Sequence, residues 1–259
     1  MKRSERHLKP RNFITDVKDV GAPKRTHIVI CIPGLSTDGS WVDNARVRAR
    51  YYNSSIEFIK ITPTAQLWLQ HVLFGIGLSG IENDISKKIT NLVLAHGRTD
   101  VQISLLAHSI GCGIAEKVIR DIHYRFKYII FIGSICHRAH SGPIKQKCTY
   151  FINSCGTKDR WPVYIEAVNF WKYSATGTVG FGNSAYVNDL FYETDHHSCT
   201  DRDHIETVIV PLLMGNVVEQ PIDPVRSYSR MYILGLKSIG LFVICVLFSL
   251  IAVLFGYLR

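Results

Sequence analysis

Short apolar runs alternate with longer stretches of helical periodicity over the first 216 residues of the chain. The runs are rich in β-branched residues and end at turn-forming residues, which predicts buried strands. The six predicted strands lie at 26–34, 56–61, 101–107, 127–133, 147–153 and 185–193, and the predicted helices lie at 64–96 in two pieces, 110–124, 160–172 and 201–214. Because this alternation requires crossover connections, we expect an α/β fold with a mostly parallel sheet of about six strands flanked by helices.

A longer apolar segment lies at the C-terminal end. Residues 239–258 read IGLFVICVLFSLIAVLFGYL without a charged side chain, and as a helix they would span the ~30 Å hydrocarbon core of a bilayer. A buried core helix is the alternative, but such a helix rarely lacks a polar face over this length. We therefore divide the chain into a basic N-terminal arm (1–25), a folded domain (26–216), a juxtamembrane linker (217–238) and one C-terminal transmembrane helix (239–258).

Positive charges flank the predicted transmembrane helix unequally. Arg226, Arg230 and Lys237 precede it, whereas only Arg259 follows it. Because positively charged flanks favour the cytoplasmic side, we expect a single-pass membrane protein, anchored by its C-terminus, whose folded domain faces the cytoplasm. The basic N-terminal residues have no apolar run behind them, so they do not resemble a secretory signal peptide.

The formal net charge of +9 is concentrated near the N-terminus, where residues 1–26 hold eight Lys and Arg against three Asp and Glu. Beside a membrane anchor, such a segment favours contact with anionic lipid headgroups over nucleic acid, and a solvated arm is an equally good interpretation. The seven cysteines are scattered and include no Cys-x-x-Cys pair. This usage indicates a reducing compartment rather than a disulfide framework. The oligomeric state is not indicated.

One stretch of the folded domain is unusually apolar. Between Ile61 and Ile81 the chain has no Asp, Glu, Lys or Arg. A helix that is apolar nearly all round is buried, lines an apolar pocket or contacts lipid. The sequence leaves open whether residues 66–81 form core, pocket wall or a lid.

The stretch LLAHSIGCGIA places Ser109 directly after a predicted strand and directly before a predicted helix. A serine nucleophile on a sharp strand-to-helix turn requires small residues two positions away on either side, and here these are Ala107 and Gly111. Ala107 departs from the usual glycine. An ordinary serine at a helix start is the alternative interpretation, because the motif is short enough to occur by chance.

A serine nucleophile also needs a base that takes its proton and a third group that orients the base. Asp159 lies in the turn after the fifth predicted strand, and His196 and His197 lie in the loop after the sixth. Because the carboxyl ends of parallel strands meet at one edge of a sheet, we expect these side chains to share a crevice with Ser109.

Other roles are open to the same residues. Asp159 could instead cap the helix predicted after it. Two groups of side chains could bind a metal: His196, His197, Cys199, Asp201, Asp203 and His204 in one, and Cys136, His137 and His140 in the other. Neither group has a zinc-finger or His-Glu-x-x-His spacing, so we expect no metal and no other cofactor.

In these motifs the chain resembles the α/β-hydrolase family. The resemblance covers residues 26–214 and rests on IPGLSTDGSW, LLAHSIGCGIA, NSCGTKD and HHS, which occur in the family's order. It implies Ser109 as the nucleophile, Asp159 as the orienting acid and a histidine as the base. We prefer His197, because family members often carry a small polar residue after the base, here Ser198, and His196 is the fallback.

The resemblance also implies two backbone donors for the oxyanion that forms during acyl transfer. One is the N–H of Ile110, directly after the nucleophile. The other comes from the loop after the first strand, where the sequence IPGL places Leu35. Family members commonly have His-Gly where this chain has Pro33-Gly34, and a backbone donor does not depend on that change.

Together these features predict a membrane-anchored serine hydrolase that cleaves an ester or thioester through a Ser-His-Asp triad and an acyl-enzyme. The anchor and the uncharged stretch favour a lipid or acylated substrate. A non-catalytic hydrolase-like protein that binds a partner at the membrane, or an acyltransferase with the same triad, is the alternative.

Overall fold

A six-stranded sheet in which every neighbouring pair of strands is parallel forms the centre of the fold. The computed structural model describes residues 26–34, 39–62, 79–96, 101–169, 172–182 and 185–216 and the isolated positions 218, 235 and 238. In chain order the strands are β1 (His27–Ile32), β2 (Ile56–Lys60), β3 (Gln102–His108), β4 (Phe126–Ile132), β5 (Cys148–Gly156) and β6 (Asn188–Tyr192). Their spatial order is β2-β1-β3-β4-β5-β6, which confirms the predicted α/β class and the predicted sheet.

Helices occupy the connections between the strands. They are α1 (Ser40–Tyr52), α2 (Ser79–His96), α3 (Ile110–Asp121), α4 (Ser141–Gln146), α5 (Trp161–Val168) and α6 (Thr176–Val179). A last helix, here named the 202–213 helix, consists of three consecutive segments, Arg202–His204, the π-helical Ile205–Ile209 and Val210–Leu213. Three of these helices were not predicted from the sequence: α1, the short α4 with the 3₁₀ turn before it, Arg138–His140, and α6.

Alternation along β1 divides the core into two layers. Ile28, Ile30 and Ile32 belong to one layer, which α2 and α3 cover, whereas Val29 and Cys31 belong to the other, which α1 and the 202–213 helix cover. A strand whose two faces are both buried needs apolar residues at every position, and none of these five side chains is more than 1% exposed. The helices therefore flank the sheet on both faces, as predicted.

The strand order indicates at which edge of the sheet a ligand is expected to bind. After β1 the chain moves outward to β2 and then returns across β1 to β3, so the direction of winding reverses between β1 and β3. In open parallel sheets, ligands bind beyond the carboxyl ends of the strands at such a reversal. Ser109 directly follows β3, and Asp159 and His196 follow β5 and β6 at the same edge.

Several predicted segments lie outside the described residues. These are the arm 1–25, the transmembrane helix 239–258, nearly all of the linker 217–238, and residues 66–78 of the uncharged stretch. Within the described part of the chain, none of the helices combines the length and the apolar character that a membrane crossing requires.

Candidate active site

Ser109 sits at a sharp turn between β3 and α3. Its backbone has φ 55° and ψ −125°, and it is the one non-glycine residue with positive φ in the described part of the chain. A conformation of this kind costs about 1–3 kcal/mol and persists only where the surroundings impose it. Its N–H donates to the Ile132 carbonyl (2.9 Å), and α3 begins at the next residue. The strand, strained turn and helix have the order that a nucleophile elbow requires.

The end of β1 packs closely against this turn, so small residues are required where the two segments meet. A Cβ added to Gly111 would lie 2.9 Å from the Pro33 carbonyl oxygen and closer still to that of Ile32. A Cβ added to Gly34 would lie 2.9 Å from the Cβ of Ser109. Glycine is therefore required at 111, whereas the methyl group of Ala107 is accommodated in the interior of the sheet, where it is completely buried.

Asp159 contacts His196 directly. The Nδ1 of His196 donates to Oδ2 of Asp159 at 2.8 Å, and both side chains are buried, Asp159 completely. A carboxylate only accepts hydrogen bonds, so in the neutral imidazole this contact places the proton on Nδ1 and leaves the lone pair on Nε2. That is the tautomer that a general base requires.

The other carboxylate oxygen of Asp159 has a structural partner. The backbone N–H of Trp161, the first residue of α5, donates to Oδ1 at 3.0 Å. The Asp159 carbonyl accepts a hydrogen bond from the Thr178 hydroxyl (2.7 Å), which ties the turn to α6. The two interpretations of Asp159, helix cap and orienting acid, are thus compatible, because each oxygen serves one of them.

His197, the histidine preferred from the sequence, is placed differently from His196. It is exposed, and its backbone N–H donates to the carboxylate of Asp195 (3.0 Å). Ser198, which motivated the choice of His197, forms its hydrogen bonds within the same loop. Its hydroxyl donates to the carboxylate of Asp195 at 2.9 Å and accepts from the backbone N–H of Asp195. Of the two neighbouring histidines, it is the fallback, His196, that contacts Asp159.

His196 lies in a compact loop that hydrogen bonds to Asp195 hold together. Oδ1 of Asp195 accepts from the backbone N–H groups of His197 (3.0 Å) and Ser198 (2.8 Å) and from the Ser198 hydroxyl. The hydrogen bonds from Ser198 hold the pKa of Asp195 below its usual range. Asp195 was not singled out in the sequence, although an Asp two or three residues before the N–H groups it accepts is typical of an Asx turn.

Behind His196 lies a second, fully buried histidine. The rings of His108 and His196 are 4.8 Å apart at their centroids, and Nε2 of His108 lies 3.6 Å from Sγ of Cys199. Burial, and then the electrostatic interaction with His196, lower the pKa of His108 well below its ordinary value, so its ring is neutral. Burial raises the pKa of Cys199. The neighbours of His196 on this side are therefore an uncharged imidazole and an uncharged thiol.

Gly133, at the end of β4, leaves room for the Asp159–His196 pair. Its φ is 53°, and a Cβ there would lie 3.1 Å from Oδ2 of Asp159 and 3.5 Å from Nδ1 of His196. A side chain at this position would be strained and would press on the hydrogen bond between the two groups. In the sequence this glycine is visible only as the end of the predicted fourth strand. Its role depends on its contact with Asp159 and His196, which lie in later segments of the chain.

The first of the two predicted oxyanion donors lies at the start of α3. Ile110 is the first residue of α3, and the first N–H groups of a helix have no partner within the helix and carry its positive dipole end. An anion beside Ser109 can accept from this N–H. Leu35, the second predicted donor, lies outside the described residues.

Three of the residues considered as metal ligands have other partners. His196 pairs with Asp159, Cys199 contacts His108, and Nε2 of His204 lies 3.1 Å from the Ser154 hydroxyl. Within the described residues, no group of three or more His, Cys, Asp or Glu has an arrangement that could hold a metal ion.

Comparison with known proteins gives matches in structure only. No family model matches the chain, and no curated protein matches it significantly in sequence. Esterase PE8 superposes with a TM-score of 0.50 at 11% identity, over 74% of this chain and 94% of that one. A predicted CIB-like hydrolase from Thermoplasma acidophilum has a TM-score of 0.49 at 13% identity, over 74% and 87% of the two chains.

A hydrolase attributed to the α/β superfamily, from Xanthomonas campestris, has a TM-score of 0.47 at 11% identity, over 73% of this chain and 99% of that one. At such identities a likeness concerns the fold alone. In its parallel sheet and flanking helices, this chain has an α/β fold similar to that of esterase PE8.

Proposed function

We propose that this protein is a serine hydrolase that cleaves an ester or thioester, with Ser109 as nucleophile, His196 as base and Asp159 as orienting acid. The observation that supports this most strongly is the 2.8 Å hydrogen bond between Asp159 and His196, at the same edge of the sheet as the strained turn of Ser109. A buried acid, a histidine of defined tautomer and a strained serine are each uncommon, and a serine hydrolase needs all three.

The proposed reaction begins with attack of the Ser109 hydroxyl on the carbonyl carbon of the substrate. His196 Nε2 takes the hydroxyl proton as the bond forms, and the N–H of Ile110 donates to the oxyanion. Leu35, in the loop after β1, is the proposed second donor. The bond from carbon to the leaving oxygen or sulfur then breaks, and His196 delivers its proton to the departing alcohol or thiol.

Hydrolysis of the acyl-enzyme repeats these roles with water. His196 removes a proton from water as the water attacks the acyl carbon, and it returns the proton to Ser109 as the carboxylic acid leaves. The Asp159 carboxylate stabilises the imidazolium form of His196 without taking its proton. Cysteine is not an alternative nucleophile in the described residues, because all six of their cysteines are buried.

We further propose that the apolar residues 239–258 anchor the enzyme in a membrane, with the folded domain on the cytoplasmic side and the substrate a lipid or an acylated molecule. The support is the uncharged length of that segment and the positive charges that precede it. Fractionation of the full chain tests this proposal. Release of the protein from membranes by high salt or alkaline carbonate would contradict it.

A fluorophosphonate probe, which reacts with activated serines, tests the proposed nucleophile. We expect the full chain to be labelled and Ser109→Ala to be unlabelled, while the exposed Ser54→Ala on the turn before β2 is labelled like the wild type. Labelling that persists in Ser109→Ala would remove Ser109 from the mechanism. Labelling of Ser109 without turnover of any ester or thioester would instead favour a hydrolase-like binding protein.

A further inference from the structure

Two exposed aromatic side chains on α5 contact each other, and one of them lies beside the proposed base. Trp161 and Tyr164, on α5, are 55% and 41% exposed. They lie three residues apart, so they share one face of the helix, and their rings are in edge-to-face contact with centroids 6.5 Å apart. The ring of Trp161 is 6.3 Å from that of His196. We name Trp161 and Tyr164 the aromatic rim.

The position of the aromatic rim is coupled to the proposed triad. The N–H of Trp161 donates to one carboxylate oxygen of Asp159, and His196 donates to the other. Pro162 follows, is buried, and favours the first turn of a helix because its φ is fixed. The same carboxylate therefore contacts both the imidazole and the backbone of the first residue of α5, whose indole lies next to the base.

The chemistry of acyl transfer decides which part of a substrate passes this place. The histidine must reach the leaving oxygen or sulfur to protonate it, whereas the acyl carbon is held at the serine and at the oxyanion donors. The substituent on the leaving atom therefore passes along the imidazole. A side chain beside the imidazole, such as Trp161, is therefore in a position to contact the leaving group.

We propose that the aromatic rim is a leaving-group subsite, which selects esters or thioesters whose alcohol or thiol portion carries an apolar or aromatic group. This inference rests on the proposed function. Indole and phenol rings offer a flat apolar surface with a polar edge, and an apolar substituent that stacks on them leaves water at the moment when His196 must protonate the leaving atom. The rim acts before the acyl-enzyme forms and has no role afterwards, because the leaving group has departed.

Two series of soluble esters separate the alcohol from the acyl portion. In the first series the acyl group is acetyl and the alcohol is methanol, hexanol or 2-naphthol. In the second series the alcohol is 2-naphthol and the acyl group is acetyl, butanoyl or hexanoyl. For each ester the ratio of kcat/KM of wild type to Trp161→Ala is measured on the full chain, so that differences in intrinsic reactivity cancel.

We expect Trp161→Ala to lower kcat/KM for hexyl and naphthyl acetate about 3- to 10-fold, the range of an aromatic or apolar contact of this size, and for methyl acetate less than about twofold. Within the acyl series the loss is expected to be constant. The deacylation rate constant, measured after a burst of naphthol release, is expected to be unchanged. Trp161→Phe is expected to restore most of the loss.

Tyr51→Ala is the matched control. Tyr51 is an exposed aromatic residue in edge-to-face contact with Tyr52, but it lies near the end of α1, before the amino end of β2 and away from the proposed site. We expect it to change none of the ratios. A loss in Trp161→Ala that is equal for all esters, that follows the acyl chain, or that extends to deacylation would overturn the leaving-group subsite.

The failure of this inference can be told from the failure of the proposed function. A wild-type chain that neither reacts with a fluorophosphonate at Ser109 nor hydrolyses any ester or thioester would contradict both. A chain that does so, but in which Trp161→Ala shows no dependence on the alcohol, would contradict the leaving-group subsite alone.

Discussion

Gly111, the second residue of α3, permits the proposed nucleophile to sit where it does, and replacing it with alanine should move the turn. The added Cβ would lie 2.9 Å from the carbonyl oxygen of Pro33 and closer to that of Ile32. Both are backbone atoms, and Ile32 belongs to β1, which is held by β2 on one side and β3 on the other. Because neither oxygen can rotate away, the start of α3 must shift.

The expected cost follows from two opposing effects. Overpacking of this kind costs about 1–3 kcal/mol. Alanine also gains up to about 1 kcal/mol over glycine inside a helix. Gly113 is the matched control, because it lies in the same helix and a Cβ there would make only an ordinary contact, 3.5 Å from the ring of Tyr173. Gly113→Ala therefore keeps the gain without the cost.

Chemical unfolding of the full chain in detergent micelles measures the difference. We expect Gly113→Ala to be as stable as the wild type or more stable, and Gly111→Ala to have a free energy of unfolding lower by roughly 1–2 kcal/mol. Labelling of Ser109 by a fluorophosphonate should be at least about 10-fold slower in Gly111→Ala, because displacement of a reactive group by ~1 Å has effects of this order. Equal stability and equal labelling of the two variants would refute the proposed packing of the turn.

Two other predictions concern the loop before the 202–213 helix and the response to acid. Asp195→Ala removes three hydrogen bonds that hold the loop of His196, so kcat should fall on the order of 10-fold. Glu193→Ala breaks only a surface pair with Lys158 and should leave kcat unchanged. Equal kcat values in the two variants would contradict the positioning role of Asp195. Burial lowers the pKa of His27 and of His204 to about 4. Between pH 6.5 and about 4 the unfolded chain therefore binds more protons than the folded chain. The free energy of unfolding should fall as the pH drops through that window. The double variant His27→Gln/His204→Gln should flatten this slope, and an unchanged slope would mean that other groups cause it.

The strand pattern and the order of the motifs were sufficient to predict the sheet and the edge at which the chemistry-bearing residues meet. Both depend on local regularities: apolar runs bounded by turns, and the fact that parallel strands end at one edge. The choice between His196 and His197 depends on something else. The two are adjacent, and only the folded loop shows that the ring of His196 contacts Asp159 while His197 is exposed and donates its backbone N–H to Asp195.

Contacts between distant segments are what the sequence could not show. His108 was read as part of a motif around Ser109, yet its ring packs against His196, 88 residues further along the chain. The need for glycine at 133 likewise arises from Asp159 and His196, which approach it from two other strands. His108 is buried and neutral because of that packing, which the pattern of apolar and polar positions does not predict.

The comparison of His196→Ala with His197→Ala tests the proposed triad most directly. The two substitutions are chemically identical and adjacent, so they differ only in which imidazole is lost. For an ester that the wild type hydrolyses, we expect kcat/KM to fall by a factor on the order of 10³ or more in His196→Ala and by less than about threefold in His197→Ala. A large loss in His197→Ala together with near-normal activity in His196→Ala would contradict the proposed role of the Asp159–His196 pair.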